Sequence, residues 1–202
     1  MKKPIKVGLD FDGVVAYNPF RLIRAPISYF KRNILGIKKL SFYYPTTYFQ
    51  QLIWRILHES SIYPARGIDL LHQLVKEKQI EAHLITARYS FLDTHLSTWI
   101  QKHKLENLFS SININHQNMQ PHLFKEQMVM KHKLDIFIED NLDIVCYLHK
   151  RSGAKIYWIY NLLDRRFNHP YKFPYLEKAL NEIMESQKLK VKSQRSKIQV
   201  KS

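Results

Sequence analysis

The sequence predicts an α/β fold, a parallel sheet covered by helices on both faces. Three observations lead there. From Pro64 onward, short apolar runs alternate with stretches at helical spacing, which implies crossover connections between parallel strands. The N-terminus adds a further apolar run, Ile5 to Asp10, closing on Asp-Phe-Asp-Gly as a strand does on entering a turn. The chain's 202 residues, 45% of them hydrophobic, suffice for one well-buried core.

Each element has its own signal. After the first strand comes a long aromatic and basic segment, from about Tyr17 to Tyr63, punctuated by Pro19, Pro26, Pro45 and Pro64. Its most regular part sets Tyr48, Leu52, Ile56 and Phe49, Ile53, Leu57 at helical spacing, which predicts an amphipathic helix. Ile68, Leu71, Leu74 and Val75 mark a helix, and Ala82 to Thr86 a strand. Phe91 to Lys104 is helical, with Leu92, Leu96, Trp99 and Ile100 on one stripe, and Phe109 to Ile114 reads as a strand. Pro121 to His132 fits a helix with proline in its first turn. Leu134 to Ile138 is a strand, Leu142 to Lys150 a helix, and Ala154 to Ile159 a strand. Tyr175 to Met184 forms the last helix, and the charged tail behind it is expected to be disordered.

Composition removes several classes. No apolar run approaches the roughly 20 residues of a membrane-spanning helix, and the N-terminal apolar stretch is too short for a signal peptide. Cys146 is the only cysteine, which excludes an internal disulfide and fits a reducing, cytoplasmic setting. Ten histidines are scattered without zinc spacing. No phosphate-cradling or dinucleotide-binding glycine loop is present. The formal charge is +15, and no acid lies between Asp12 and Glu59, a stretch holding Arg21, Arg24, Lys31, Arg32, Lys38, Lys39 and Arg55. A second basic block comes after Glu185, with Lys188, Lys190, Lys192, Arg195, Lys197 and Lys201. Such a field attracts phosphoesters, nucleic acid or acidic lipid, or it is simply a solvated basic surface.

In open α/β sheets, ligands bind beyond the carboxyl ends of the strands. There the sequence places Asp10-Phe11-Asp12-Gly13, Thr86-Ala87-Arg88 and Glu139-Asp140-Asn141, with Lys125 near the start of a helix. Oxygen ligands for a hard divalent cation, donors for phosphate oxygens and a nucleophile would converge on one edge. Singly, each signal is weak: Asp-x-Asp is common, a threonine after a strand is often a cap, and a lone lysine is usually a surface charge. Their joint placement makes the pattern.

These segments resemble the motifs of the haloacid dehalogenase (HAD) superfamily: Leu9 to Val15 the first, Leu84 to Arg88 the second, Lys125 the third and Phe137 to Asp140 the fourth. Thr86-Ala87-Arg88, the Glu139-Asp140 pair and Tyr157 to Asn161 most resemble the 5′-nucleotidase-like members. The resemblance implies a Rossmann-like three-layer sandwich with a small helical cap inserted after the first strand. Core would be 1–16 and 64–186, cap 17–63, and a basic tail 187–202. It implies a Mg²⁺-dependent phosphatase in which Asp10 attacks phosphorus and Asp12 exchanges the proton. Mg²⁺ would sit between the Asp10 carboxylate, the Asp12 main-chain carbonyl and Asp140. Thr86 and Ala87 would bind phosphate, and Lys125 would neutralise its charge. Glu139 stands where a second aspartate is frequent, leaving open which acid of the pair binds metal. Asp143 is either a supporting group or a helix N-terminal acid; Arg88 binds substrate phosphate or pairs with a scaffold acid.

The substrate reading is a small phosphomonoester, with a nucleotide favoured by an acid-free, aromatic insertion whose rings could stack on bases. Sugar phosphates and nucleic-acid ends are the alternatives, as is a nucleic-acid-associated protein with little turnover. A nucleotide-sugar transferase built on Asp-x-Asp would leave Thr86, Lys125 and Asp140 unused. A receiver domain would carry its acceptor on a central strand after an acidic pair on the first, an order this chain lacks.

Overall fold

The computed structural model of the chain describes residues 3–19, 40–59, 61–162 and 164–199. A six-stranded sheet runs through the molecule: β1 (Ile5–Leu9), β4 (Ile80–Tyr89), β5 (Ser111–Asn115), β6 (Ile136–Glu139), β7 (Lys155–Ile159) and β8 (Lys172–Phe173). All its pairings are parallel, in the order β5-β4-β1-β6-β7-β8. Two further strands, β2 (Ala16–Tyr17) and β3 (Tyr63–Pro64), pair antiparallel with each other and carry the segment between them as a stalk.

Strand alternation sorts the core into two layers. Val7, Leu9, Ile136, Ile138, Tyr157 and Ile159 face one side. There they meet α2 (Ile68–Lys76), α3 (Asp93–Lys102, led in by a 3₁₀ turn at Ser90–Leu92) and α6 (Leu176–Gln199) through Leu71, Leu74, Leu96, Trp99, Leu180 and Ile183. The intervening residues Phe137, Ile156 and Trp158 face the other side, against Phe124, Met128, Val145 and Leu148. Those belong to α4 (Pro121–His132) and α5 (Leu142–His149). The result is the expected three-layer sandwich, in which period-two burial on both faces makes the strands apolar almost throughout.

Chain order fixes where a site can form. From β1 the chain goes to β4 and β5 on one side, then crosses back to β6 and β7 on the other. β1 is therefore the switch point, and the carboxyl ends of β4, β1 and β6 border the crevice.

Three expectations need correction. β4 does not stop at Thr86 but continues to Tyr89, past a register shift between Thr86 and Tyr89. The last helix does not end at Met184, and the tail is not disordered from 187: α6 is helical to Gln199. Glu185 to Gln199 contains no glycine or proline and is rich in Lys and Gln, so low apolar content does not prevent it from continuing a helix already anchored by Leu180 and Ile183. The amphipathic helix of the insertion forms, as α1 (Tyr48–Glu59), with its apolar stripe turned outward. Arg21, Arg24, Lys31, Arg32, Lys38 and Lys39, like Phe20, Tyr29 and Phe30, lie outside the described residues, as does Lys201.

Candidate active site

Register places the acids. Leu9 of β1 lies opposite Leu84 of β4 and Ile138 of β6, so Asp10 and Glu139 follow the same paired row into the crevice. The Asp10 amide donates to the Ile138 carbonyl at 3.0 Å, which holds the backbone there. Beyond it the chain turns sharply: the Val15 and Ala16 amides both donate to the Phe11 carbonyl, and the Gly13 amide donates to that of Ala16. Gly13 has φ of 84°, and a Cβ there would run into Asp140 Oδ2. Glycine is needed at this position both for its backbone conformation and for the close approach of Asp140.

Lys125 rises from the first turns of α4 and is buried. Its Nζ lies 2.9 Å from Asp10 Oδ2 and donates to Glu139 Oε2 at 2.7 Å. The other Glu139 oxygen accepts the amides of Asp140 and Asn141 at 3.1 and 2.9 Å. Trp158 Nε1 donates to the Asp140 carbonyl at 3.2 Å and steadies the strand end. Burial, together with the neighbouring Asp140 and Asp12, pushes Asp10 above its ordinary value against the pull of Lys125. Burial and Asp10 likewise push Glu139 up while Lys125 opposes. Lys125 itself is held above its ordinary value, the two carboxylates outweighing burial.

One carboxylate oxygen each from Asp10, Glu139 and Asp140 lies within 4.8 Å of the other two, all three residues being buried. Three convergent, oxygen-only ligands, two of them with raised proton affinities, fit a hard divalent cation such as Mg²⁺. Direct ligation by Glu139 competes with the hydrogen bonds it already accepts, whereas Asp140 leans on the Gly13 turn.

A second cluster forms around Asp12. Arg88 Nε donates to Asp12 Oδ2 at 2.8 Å and Arg88 Nη2 to Oδ1 at 2.7 Å, a bidentate pair buried on both sides. Ser61 Oγ donates to Oδ1 at 2.6 Å and Asn18 Nδ2 at 3.3 Å. Burial alone would push Asp12 up, but Arg88 outweighs it and holds the carboxyl well below the usual range. Arg88 also donates to the His58 carbonyl at 3.0 Å, and its guanidinium sits 4.6 Å from the Phe11 ring centroid. The partner of Arg88 is thus Asp12 itself, an acid of the site rather than of the scaffold.

Thr86 is buried beside this cluster, its Oγ1 accepting the Arg88 amide at 3.3 Å. Ala87 is half-buried at the edge of the second core layer. Asp143 stands in the first turn of α5, where the Asn141 side chain caps its amide at 3.0 Å. Ser61 and Asn18 escaped the sequence reading. Ser61 ends a Ser-Ser pair before β3 and Asn18 precedes Pro19; Ser61 comes to Asp12 from 49 positions away beside the paired β2 and β3, while Asn18 lies six positions from it.

Comparison with solved structures places the fold. A putative HAD-hydrolase, YfnB from Bacillus subtilis, solved bound to magnesium, matches with a TM-score of 0.58 at 12% identity, over 90% of this chain and 99% of that one. A putative beta-phosphoglucomutase from Thermotoga maritima matches at 0.55 and 16%, over 90% and 99%. A HAD-superfamily hydrolase from Ehrlichia chaffeensis matches at 0.52 and 16%, over 92% and 98%. The chain shares the fold of these three proteins. No protein-family model and no curated protein sequence matches it.

Proposed function

We propose that the chain is a Mg²⁺-dependent phosphomonoester hydrolase of the HAD type that passes the phosphoryl group through Asp10. The observation that carries this reading is the buried chain Asp10–Lys125–Glu139, with Asp140 close enough to share a cation with both acids. Asp10, Asp140 and the Asp12 main chain would hold the metal, and Glu139 would brace Lys125 and the start of α5. Bound Mg²⁺ supplies positive charge that offsets the repulsion between a carboxylate nucleophile and a phosphate dianion.

An Asp10 oxygen attacks phosphorus as the bond to the leaving oxygen breaks, and Asp12 gives that oxygen a proton. Water then attacks the aspartyl-phosphate, Asp12 takes a proton from it, and phosphate leaves with Asp10 regenerated. Asp12, ionised by Arg88, is suited to the second half. For the first half it must take up a proton, which an incoming phosphate dianion favours by raising the proton affinity of a nearby carboxylate. Lys125 stabilises charge on the transferring group, and Thr86 and Ala87 border the same crevice as phosphate donors.

The substrate is a small phosphomonoester. The Thr86-Ala87-Arg88 motif and the aromatic insertion support a nucleotide; the likeness to a putative beta-phosphoglucomutase supports a phosphosugar instead. Phosphate release from a panel of nucleoside monophosphates and phosphosugars, with Mg²⁺ or with EDTA, separates the two classes. Turnover in Mg²⁺ that EDTA abolishes is expected. Equal turnover by the Asp10→Asn variant would remove the mechanism.

A further inference from the structure

Helix α1 is built inside out. Tyr48, Leu52 and Ile56 form one stripe and Phe49 and Ile53 the next, yet all five are exposed: 77% for Tyr48, 68% for Phe49 and 58% for Ile56. The side turned to the rest of the protein is the less apolar one. Gln51 donates to the Pro45 carbonyl at 3.4 Å, Gln50 accepts the Thr46 and Thr47 amides, Trp54 packs on Tyr43, and the His58 carbonyl receives Arg88. No residue of the helix is buried. Hydrophobic burial therefore does not explain which face points out, and a contiguous apolar patch of this kind marks a surface meant to be covered.

Charge indicates what covers it. From Gly13 to His58 the sequence holds no acid and seven arginines and lysines, of which Arg55 is the one among the described residues. On the helix, exposed Arg55 borders the apolar stripe, and Glu59, the first acid after Asp12, comes only at the C-terminal end. Tyr17, Ile62 and Tyr63, at the base of the insertion, are exposed as well. We propose that this face of α1 lies in the headgroup region of an anionic lipid bilayer. Leu52, Ile53, Ile56 and Phe49 would enter the acyl boundary, with Tyr48 and Arg55 at the interface. Among the described residues no helix is long and apolar enough to cross a membrane, so the contact is peripheral. Nucleic acid suits the same charge, but its bases are gripped by aromatic planes alternating with cations. Three of the five exposed stripe residues, Leu52, Ile53 and Ile56, are aliphatic, which a base cannot use and an acyl layer can.

The test is co-sedimentation of the full chain with vesicles of phosphatidylcholine and phosphatidylglycerol, against vesicles of phosphatidylcholine alone. The chain is expected to pellet with the anionic vesicles only. The Leu52→Glu/Ile56→Glu variant should lose that partition by roughly tenfold or more at an unchanged thermal midpoint. A Phe49→Trp variant should shift its fluorescence to the blue when anionic vesicles are added. Pelleting that survives the double substitution overturns the proposal, and so does an absence of pelleting. A marked fall in the variant's thermal midpoint overturns it by showing the face covered within the chain. Release from vesicles by single-stranded RNA that itself depends on Leu52 and Ile56 would assign the face to nucleic acid instead.

Discussion

Arg88 grips Asp12 with both prongs of its guanidinium, at 2.8 and 2.7 Å, inside a pair that solvent barely reaches. The two residues are 76 positions apart, one on the β1 turn and the other near the end of β4, so the pair joins the two sides of the crevice at the mouth of the insertion. Breaking one half leaves the other charged and buried. The Arg88→Met variant should therefore lose about 3–5 kcal/mol of stability near neutral pH. The sign with pH is fixed by the depressed Asp12 carboxyl. Its contribution is present above the unfolded value of about 3.9 and is lost as pH falls below it. Urea unfolding of both proteins should show a gap that is wide at neutral pH and narrows in acid; a constant gap would contradict this.

Lys125 spans two buried carboxylates, so its removal strands both. Lys125→Met should cost on the order of 3–5 kcal/mol and abolish turnover. Adding Glu139→Gln to it should recover part of the stability and none of the activity, because one stranded charge has been neutralised. A double-mutant cycle from thermal or urea unfolding reads the coupling, expected at about 1–3 kcal/mol. Strict additivity would mean that the two side chains do not act on each other.

Because Asp10, Glu139 and Asp140 converge only in the folded chain, a cation bound there stabilises it by mass action. Mg²⁺ should raise the thermal midpoint in proportion to the logarithm of its concentration above saturation, and EDTA should reverse the rise. The Asp140→Asn variant should lose most of this response. A midpoint indifferent to Mg²⁺ would place the cation elsewhere or nowhere.

His83 of β4 and His132 at the end of α4 pack against each other with ring centroids 4.7 Å apart and planes tilted by 32°. Ser111 Oγ is 2.8 Å from His83 Nδ1, and Asn113 Oδ1 is 2.9 Å from His132 Nε2. Glu81 Oε1 lies 3.2 Å from His83 Nε2 without hydrogen-bond alignment, and Lys6 is near it. Burial lowers both imidazoles below their ordinary values, His83 despite Glu81 and His132 with the help of His83 and Lys131. The unfolded chain then binds more protons, so stability should fall as pH drops below about 6.5. Urea midpoints above and below that pH should show the loss, and His132→Gln should reduce it. A midpoint flat across the interval would contradict the burial argument.

The sheet and the acids were legible because they depend on local pattern. A run such as Ile136 to Glu139 announces a buried strand, and residues just past the carboxyl end of a strand in an open parallel sheet face the crevice. The pairing of Asp12 with Arg88 was not legible, since nothing near either residue signals a partner 76 positions away. Ser61 reaches Asp12 from 49 positions away, beside the pairing of Ala16–Tyr17 with Tyr63–Pro64, and two-residue strands show no periodicity. The helical spacing of Tyr48 to Leu57 was plain, but spacing fixes which residues share a face and not which way that face points. The tail misled for a thermodynamic reason: low hydrophobicity argues against a core of its own, not against extension of a helix already nucleated.

Asp10 as carrier of the phosphoryl group is the claim on which the rest turns. Turnover of a phosphomonoester in Mg²⁺, stopped by rapid acid quench and followed by peptide mass spectrometry, tests it directly. A phosphoryl adduct is expected on the peptide containing Asp10, present only during turnover and absent from Asp10→Asn. Steady phosphate release with no adduct on that peptide, and undiminished in the variant, would contradict it.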